Sequence, residues 1–171
     1  MLFLLAFSAL AFAQGESDSP SAFPSLDTAL LERLVPAAVR FSGKSGQPPV
    51  YTACGADDAV VADDFETTDF EPQEIGYSAP IEVLVGIDLE GELAGIEILF
   101  YRESYKSIRG DFLNSERFPN QFAGKSVSEG FRVGRDIDGV SRATISSWAV
   151  SRGIRNSARE VASAYLGEAA I

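Results

Sequence analysis

Ile81-Glu-Val-Leu-Val-Gly-Ile-Asp88 alternates strictly, with Ile81, Val83, Val85 and Ile87 on one side and Glu82, Leu84, Gly86 and Asp88 on the other. A period of two is that of a β-strand, and here it turns the β-branched residues toward one buried face. Asp88-Leu-Glu-Gly91 follows as a turn, with Gly91 free to take positive φ. Leu93–Tyr101 then runs back as the partner strand. The chain is built around this antiparallel hairpin.

Upstream, Gly76-Tyr-Ser-Ala-Pro80 forms a turn into the hairpin, and Val50–Cys54 and Val60–Phe65 read as short strands around an acidic turn. Phe41–Pro49 is rich in Gly, Ser and Pro and reads as a loop. Leu26, Leu30, Leu31 and Leu34 are spaced for one face of a helix, with Asp27 near its start and Pro36 ending or kinking it. Downstream, residues 102–130 read as an irregular connection anchored by Tyr105, Phe112, Phe118 and Phe122. After a turn at Asp136–Gly139, a long helix begins near Ile145. Val150, Ile154, Ala158, Val161 and Tyr165 share one face, Arg152, Arg155 and Arg159 another, and Leu166-Gly167 marks the stop. The fold class is α+β: a small antiparallel sheet with a central hairpin, packed by an N-terminal helix and a long C-terminal helix.

The 171 residues are about one domain in length. Leu2–Ala13 is an apolar run ending in Ala11-Phe-Ala13, followed by polar residues, which reads as a secretory signal peptide cut after Ala13. The expected division is residues 1–13 as signal, 14–33 as a polar linker and the start of the first helix, and 34–171 as the functional domain. Such a chain would be soluble in the periplasm or otherwise exported.

The net charge is −11, yet it is unevenly spread. Residues 55–92 hold twelve acids and no Lys or Arg, whereas residues 102–159 hold eleven basic residues against six acids. An acidic protein without a basic run is a poor candidate for nucleic-acid binding, although the basic half suits a single small anion.

Histidine is absent and Cys54 stands alone. That removes His-based nucleophilic catalysis and His- or Cys-cluster metal sites, and the lone cysteine reads as a small packed residue. Asp57, Asp58, Asp63 and Asp64 lack the spacing of a calcium loop and read as a solvated acidic turn. The entrance to the last helix remains. Its first-turn N–H groups and macrodipole suit a phosphate, with Arg142 and Arg135 available for charge-assisted bonds. Ser141 and Thr144 are equally suited to capping the helix, so the residues by themselves leave phosphate site and plain cap both open.

Asp138-Gly-Val-Ser-Arg-Ala-Thr-Ile-Ser-Ser147 resembles the flavinylation motif of the FMN-binding domain family. That family includes the peripheral flavin subunits of the sodium-pumping NADH:quinone reductase and of the Rnf complex, and the periplasmic domain of the nitrous-oxide-reduction regulator NosR. Leu34-Val-Pro-Ala-Ala38, Gly76-Tyr-Ser-Ala-Pro-Ile81, Val85-Gly-Ile-Asp88 and Phe118-Pro-Asn-Gln-Phe-Ala-Gly-Lys125 are similar to other stretches of the family, with the NosR-like branch the nearest. The resemblance implies FMN joined covalently, by a phosphoester, to the hydroxyl of Thr144. It also implies a separate flavin transferase that uses FAD with a divalent metal. The residues carried over as cofactor-binding are Thr144 with Asp138, Ser141, Arg142 and Ala143, together with Gly76 and Tyr77. Tyr77, Tyr105 and Trp148 are candidates to stack on the flavin ring, with packing in the core the plainer reading of each. Arg142 departs from the usual motif, which has Gly there, and an Arg adopts positive φ only at a cost.

The implied role is an extracytoplasmic electron carrier working with a membrane-bound or periplasmic redox partner. Two other functions suit the same fold: a flavin-free sensory or binding module, and a flavin-dependent reductase of a small extracytoplasmic acceptor.

Overall fold

The computed structural model describes residues 26–104, 106–115 and 117–167. The expected signal segment, the linker up to residue 25 and Tyr105 lie outside the described residues. Asp27 opens helix α1 (Thr28–Leu34) by accepting the Ala29 N–H at 3.1 Å. The helix ends at Val35, which precedes Pro36 and has left the helical region at φ −123° and ψ 75°.

Five strands follow, β1 (Arg40–Phe41), β2 (Tyr51–Cys54), β3 (Val60–Glu66), β4 (Glu82–Asp88) and β5 (Leu93–Phe100). They form one antiparallel sheet in chain order. Phe41, expected in a loop, instead pairs with Ala53 in the edge strand β1. Bonds from Val39 N–H to the Cys54 carbonyl (2.8 Å) and from Ser42 N–H to the Thr52 carbonyl (2.9 Å) frame it. Backbone groups along the open edge of β2 are thereby satisfied, which is why Gly- and Ser-rich sequence next to it still yields a strand. The turn between β4 and β5 is as expected, with Gly91 at φ +82°.

Both faces of β4 are buried. Ile81, Val83, Val85 and Ile87 join the main core with Phe65, Ile96, Ile98 and the long helix α3 (Thr144–Tyr165). Leu84, on the opposite face, is fully buried in a second cluster with Leu31 and Leu34 of α1. Burial of each such side chain contributes roughly 1.5–3 kcal/mol. Asp64 shares this second face and is completely buried. Burial pushes its carboxyl up to about 8, with the neighbouring Asp63 adding to the shift.

The connection from β5 to α3 contains the short helix α2 (Lys106–Arg109) and a 3-10 turn at Pro119–Gln121. Phe112, Phe118 and Phe122 are core residues, as their role as anchors required. Phe122 stacks on Phe131 with ring centroids 6.1 Å apart. In α3, Val150, Ile154, Ala158 and Val161 point into the core. Tyr165 departs from that face: it is partly exposed, and its hydroxyl donates to the Pro48 carbonyl at 2.6 Å. Gly167 stops the helix at φ +80°. Among the described residues no helix is long and apolar enough to cross a membrane.

Candidate functional site

The turn from Asp138 to Ala143 is strapped at both ends. At its start the Gln121 side-chain amide brackets the Asp138 backbone: Asp138 N–H donates to Gln121 Oε1 at 2.6 Å, and Gln121 Nε2 donates to the Asp138 carbonyl at 3.1 Å. At its end the fully buried Ser147 reaches back from α3. Its Oγ accepts the Val140 N–H at 3.0 Å and donates to the Ala143 carbonyl at 3.0 Å. Ala143 N–H closes the turn onto the Val140 carbonyl at 3.0 Å.

Within this strap Arg142 sits at φ +64°. The left-handed conformation costs a side-chain-bearing residue about 1–2 kcal/mol, and it persists because the surrounding bonds over-determine the turn. The backbone here has the geometry that glycine would adopt freely, with arginine in its place.

The N-cap position falls to neither hydroxyl residue. Ala143 holds the N-cap position and no side-chain bond caps the helix. Thr144 is the first residue of α3, and its side chain is exposed, as are those of Ser141 and Arg142. The first bond of the helical series runs from Ser147 N–H to the Ala143 carbonyl at 2.9 Å. The N–H groups of the first turn therefore have no partner within the helix, and the positive end of the macrodipole opens beside Thr144.

A cleft of about 250 Å³ lies at this end of α3, lined by Tyr77, Glu103, Arg142, Ala143, Thr144 and Ile145. Gly76 allows the facing wall to approach. A Cβ there would lie 2.7 Å from Ile81 Cδ1 and 3.0 Å from Ser146 Oγ, so any larger residue would push the wall away from the helix. The fully buried Ser146 ties the walls together: it accepts the Tyr77 N–H at 3.3 Å and donates to the Glu103 carboxylate.

Of the seven residues expected to bind cofactor, Tyr77, Arg142, Ala143 and Thr144 line one cleft, with Gly76 behind it. Asp138 and Ser141 face a neighbouring cleft of about 400 Å³, together with Arg117, Phe118 and Gln121. The Asp138 carboxylate is exposed and pairs loosely with Arg117 at 3.6 Å, an arrangement that contributes little. Arg135 belongs to a third depression with Arg132 and Asp136, apart from Thr144. Tyr77 and Trp148 are 56% and 40% exposed, so neither is a core residue and both have open ring surface.

Gln121, Ser146, Ser147 and Glu103 were not picked out as site residues. The paired serines inside an apolar helical run, and a glutamine between two anchoring phenylalanines, were available signals. Glu103 had none, because its approach depends on the path the chain takes after β5.

The set is chemically suited to a phosphate: an exposed hydroxyl, a helix N-terminus with alanine at its N-cap and an exposed guanidinium. A flavin would bring the redox chemistry, while these residues would hold its phosphate and position it.

The model of the FMN-binding domain family matches residues 76–159, from the Gly76 turn to well inside α3. The similar stretch Leu34–Ala38 falls outside that match. Protein NirI of Paracoccus denitrificans (strain Pd 1222) is 34% identical over 91 residues, which are 52% of this chain and 13% of that protein. The chain thus spans a small part of that relative. Residues 76–159 contain the strapped turn and both walls of the cleft, and over this stretch the chain carries an FMN-binding domain, which supports a flavin-binding protein with FMN as its cofactor.

Proposed function

We propose that this protein is an exported electron carrier that holds FMN as a phosphoester on Thr144. The observation that carries the reading is the placement of Thr144: an exposed residue at the first position of a 22-residue helix whose N-cap, Ala143, has no side chain to cap it. A phosphodiester there has the first-turn N–H groups and Arg142 to face its charge. Ser141, Ala143 and Asp138 shape the turn, while Gly76 and Tyr77 form the opposite wall.

A threonine hydroxyl is a weak nucleophile, and a phosphoester forms only from an activated phosphoryl donor. Attachment therefore calls for a flavin transferase that presents such a donor from outside. The cleft, at about 250 Å³, is smaller than the roughly 300–1,000 Å³ of sites that enclose a small molecule. A flavin anchored there stays largely open to its surroundings. That suits exchange of one or two electrons with a docked membrane-bound or periplasmic protein better than turnover of an enclosed substrate. The Leu2–Ala13 run supports export.

Co-expression with a flavin transferase, followed by fluorescence of the denatured band and intact mass, tests the attachment. The wild-type chain is expected to carry one FMN phosphoryl group, and Thr144→Ala none. A fluorescent Thr144→Ala band, or a wild-type chain without flavin, would rule the reading out.

A further inference from the structure

Glu103 lies in the Thr144 cleft with no role yet assigned. It comes three residues after the end of β5, on a segment anchored by the buried ring of Tyr101. Its carboxylate takes a hydrogen bond from Ser146, which stands two residues after Thr144 in the first turn of α3. Ser146 is fully buried and also accepts the Tyr77 N–H, so the carboxylate is held by a group that cannot itself drift. A base fixed by packed supporting groups is placed for chemistry in a way that a free surface carboxylate is not.

The other polar side chains lining the cleft are those of Tyr77, Arg142 and Thr144. By its chemistry a guanidinium only donates hydrogen bonds and a phenol carries a proton of its own, whereas a carboxylate is a pure acceptor. Glu103 is thus the lining side chain able to take a proton from the threonine hydroxyl.

We propose that Glu103 is the general base for the modification of Thr144, an inference that rests on Thr144 being the attachment site. In the step, Thr144 Oγ1 attacks the flavin-side phosphorus of FAD, presented by the transferase with its divalent metal. The Oγ1–P bond forms as the P–O bond to the adenylate breaks. AMP leaves with the bridging oxygen and its electron pair, and the hydroxyl proton passes to the Glu103 carboxylate. No oxidation state changes. Arg142 and the N-terminus of α3 face the charge that develops on the phosphoryl oxygens.

The full chain, a purified flavin transferase, FAD and magnesium are enough for the test, read as the initial rate of flavin fluorescence appearing on the denatured band. Glu103→Gln keeps an oxygen to accept the Ser146 bond but cannot act as base. Its rate is expected to fall about 100-fold or more, the usual scale for loss of a general base. Glu103→Asp should retain part of the rate, and added formate should restore part of it to Glu103→Ala, which a purely structural role would not produce. Thermal melting by circular dichroism reports the fold of each variant. If Glu103→Gln melts early, the formate response of Glu103→Ala decides. Wild-type rates in Glu103→Gln, or no formate response in a folded Glu103→Ala, overturn the proposal. A wild-type chain that takes up no flavin overturns the attachment site itself, and the two failures are told apart by that single control.

Discussion

Against α3 the sheet presents Ile81, Val83, Val85 and Ile87; against α1 it presents Ala62, Leu84 and the carboxyl of Asp64. The two faces are equally dry but treat polar groups differently. On the α3 side, Ser146, Ser147 and Ser157 are buried with hydrogen-bond partners, and of the four buried serines of that helix Ser151 is without one among the described residues. On the α1 side, both oxygens of Asp64 are buried without a hydrogen-bond partner among the described residues. An unpaired hydroxyl is a modest cost, while an unpaired carboxylate is a large one that protonation relieves. Polar groups on the first face are wired together to hold a turn and a cleft. On the second, the buried acid Asp64 is tolerated by staying neutral.

The difference has a pH signature, and this is the largest effect expected. Asp64 keeps its proton in the native state up to about 8, whereas an unfolded Asp releases its proton near about 4. Below the unfolded value both states are protonated and stability is undiminished. As pH rises through the interval the unfolded chain binds fewer protons than the native one, so stability falls, by up to about 1.4 kcal/mol per unit. Above the native value the loss levels off. Asp63, Asp69 and Glu82 are also shifted upward by burial and act in the same direction. Urea unfolding at a series of pH values should show this decline, and Asp64→Asn should flatten it. An unchanged slope in the variant would remove the contrast between the faces.

The α3 face is tested by Ile154→Ala, which empties a fully buried position. A loss of about 2–5 kcal/mol is expected in denaturant unfolding, without any change in the pH slope. A loss below about 1 kcal/mol, the scale of a surface change, would mean that α3 is not what closes this core. The smallest effect belongs to Arg142→Gly. Relief of the left-handed arginine, offset by glycine's greater entropy loss, leaves a gain of at most about 1 kcal/mol. Arg142→Ala should show no such gain, because alanine keeps the strain, and comparing the melting curves of the two separates backbone from side chain.

Features set by local period or local turn chemistry were readable without a structure. The hairpin at residues 81–101, α1 with its Asp27 cap and α3 with its Gly167 stop all follow from spacing. So does the buried face of β4. The convergence of Gly76 and Tyr77 with Thr144 was expected from family resemblance, and the Ser146 bond is its physical means. Long-range geometry accounts for the remainder. Strand β1 exists because β2 had an edge to fill, which composition could not indicate. Asp63 and Asp64 read as part of a solvated acidic turn, yet both are buried in β3 because α1 and α3 cover the sheet on its two sides. Asp138 was grouped with Thr144 by the motif, but the turn between them points its carboxylate away, toward Arg117.

Trp148 is the only tryptophan in the chain, lies one helical turn beyond Thr144 and is 40% exposed. Indole emission overlaps the near-ultraviolet absorption of a flavin, so a flavin seated on Thr144 would draw excitation energy from this residue. The chain therefore carries its own optical gauge. The ratio of indole to flavin emission would report how many molecules are loaded, and the decay of the indole signal would follow loading in real time without any label.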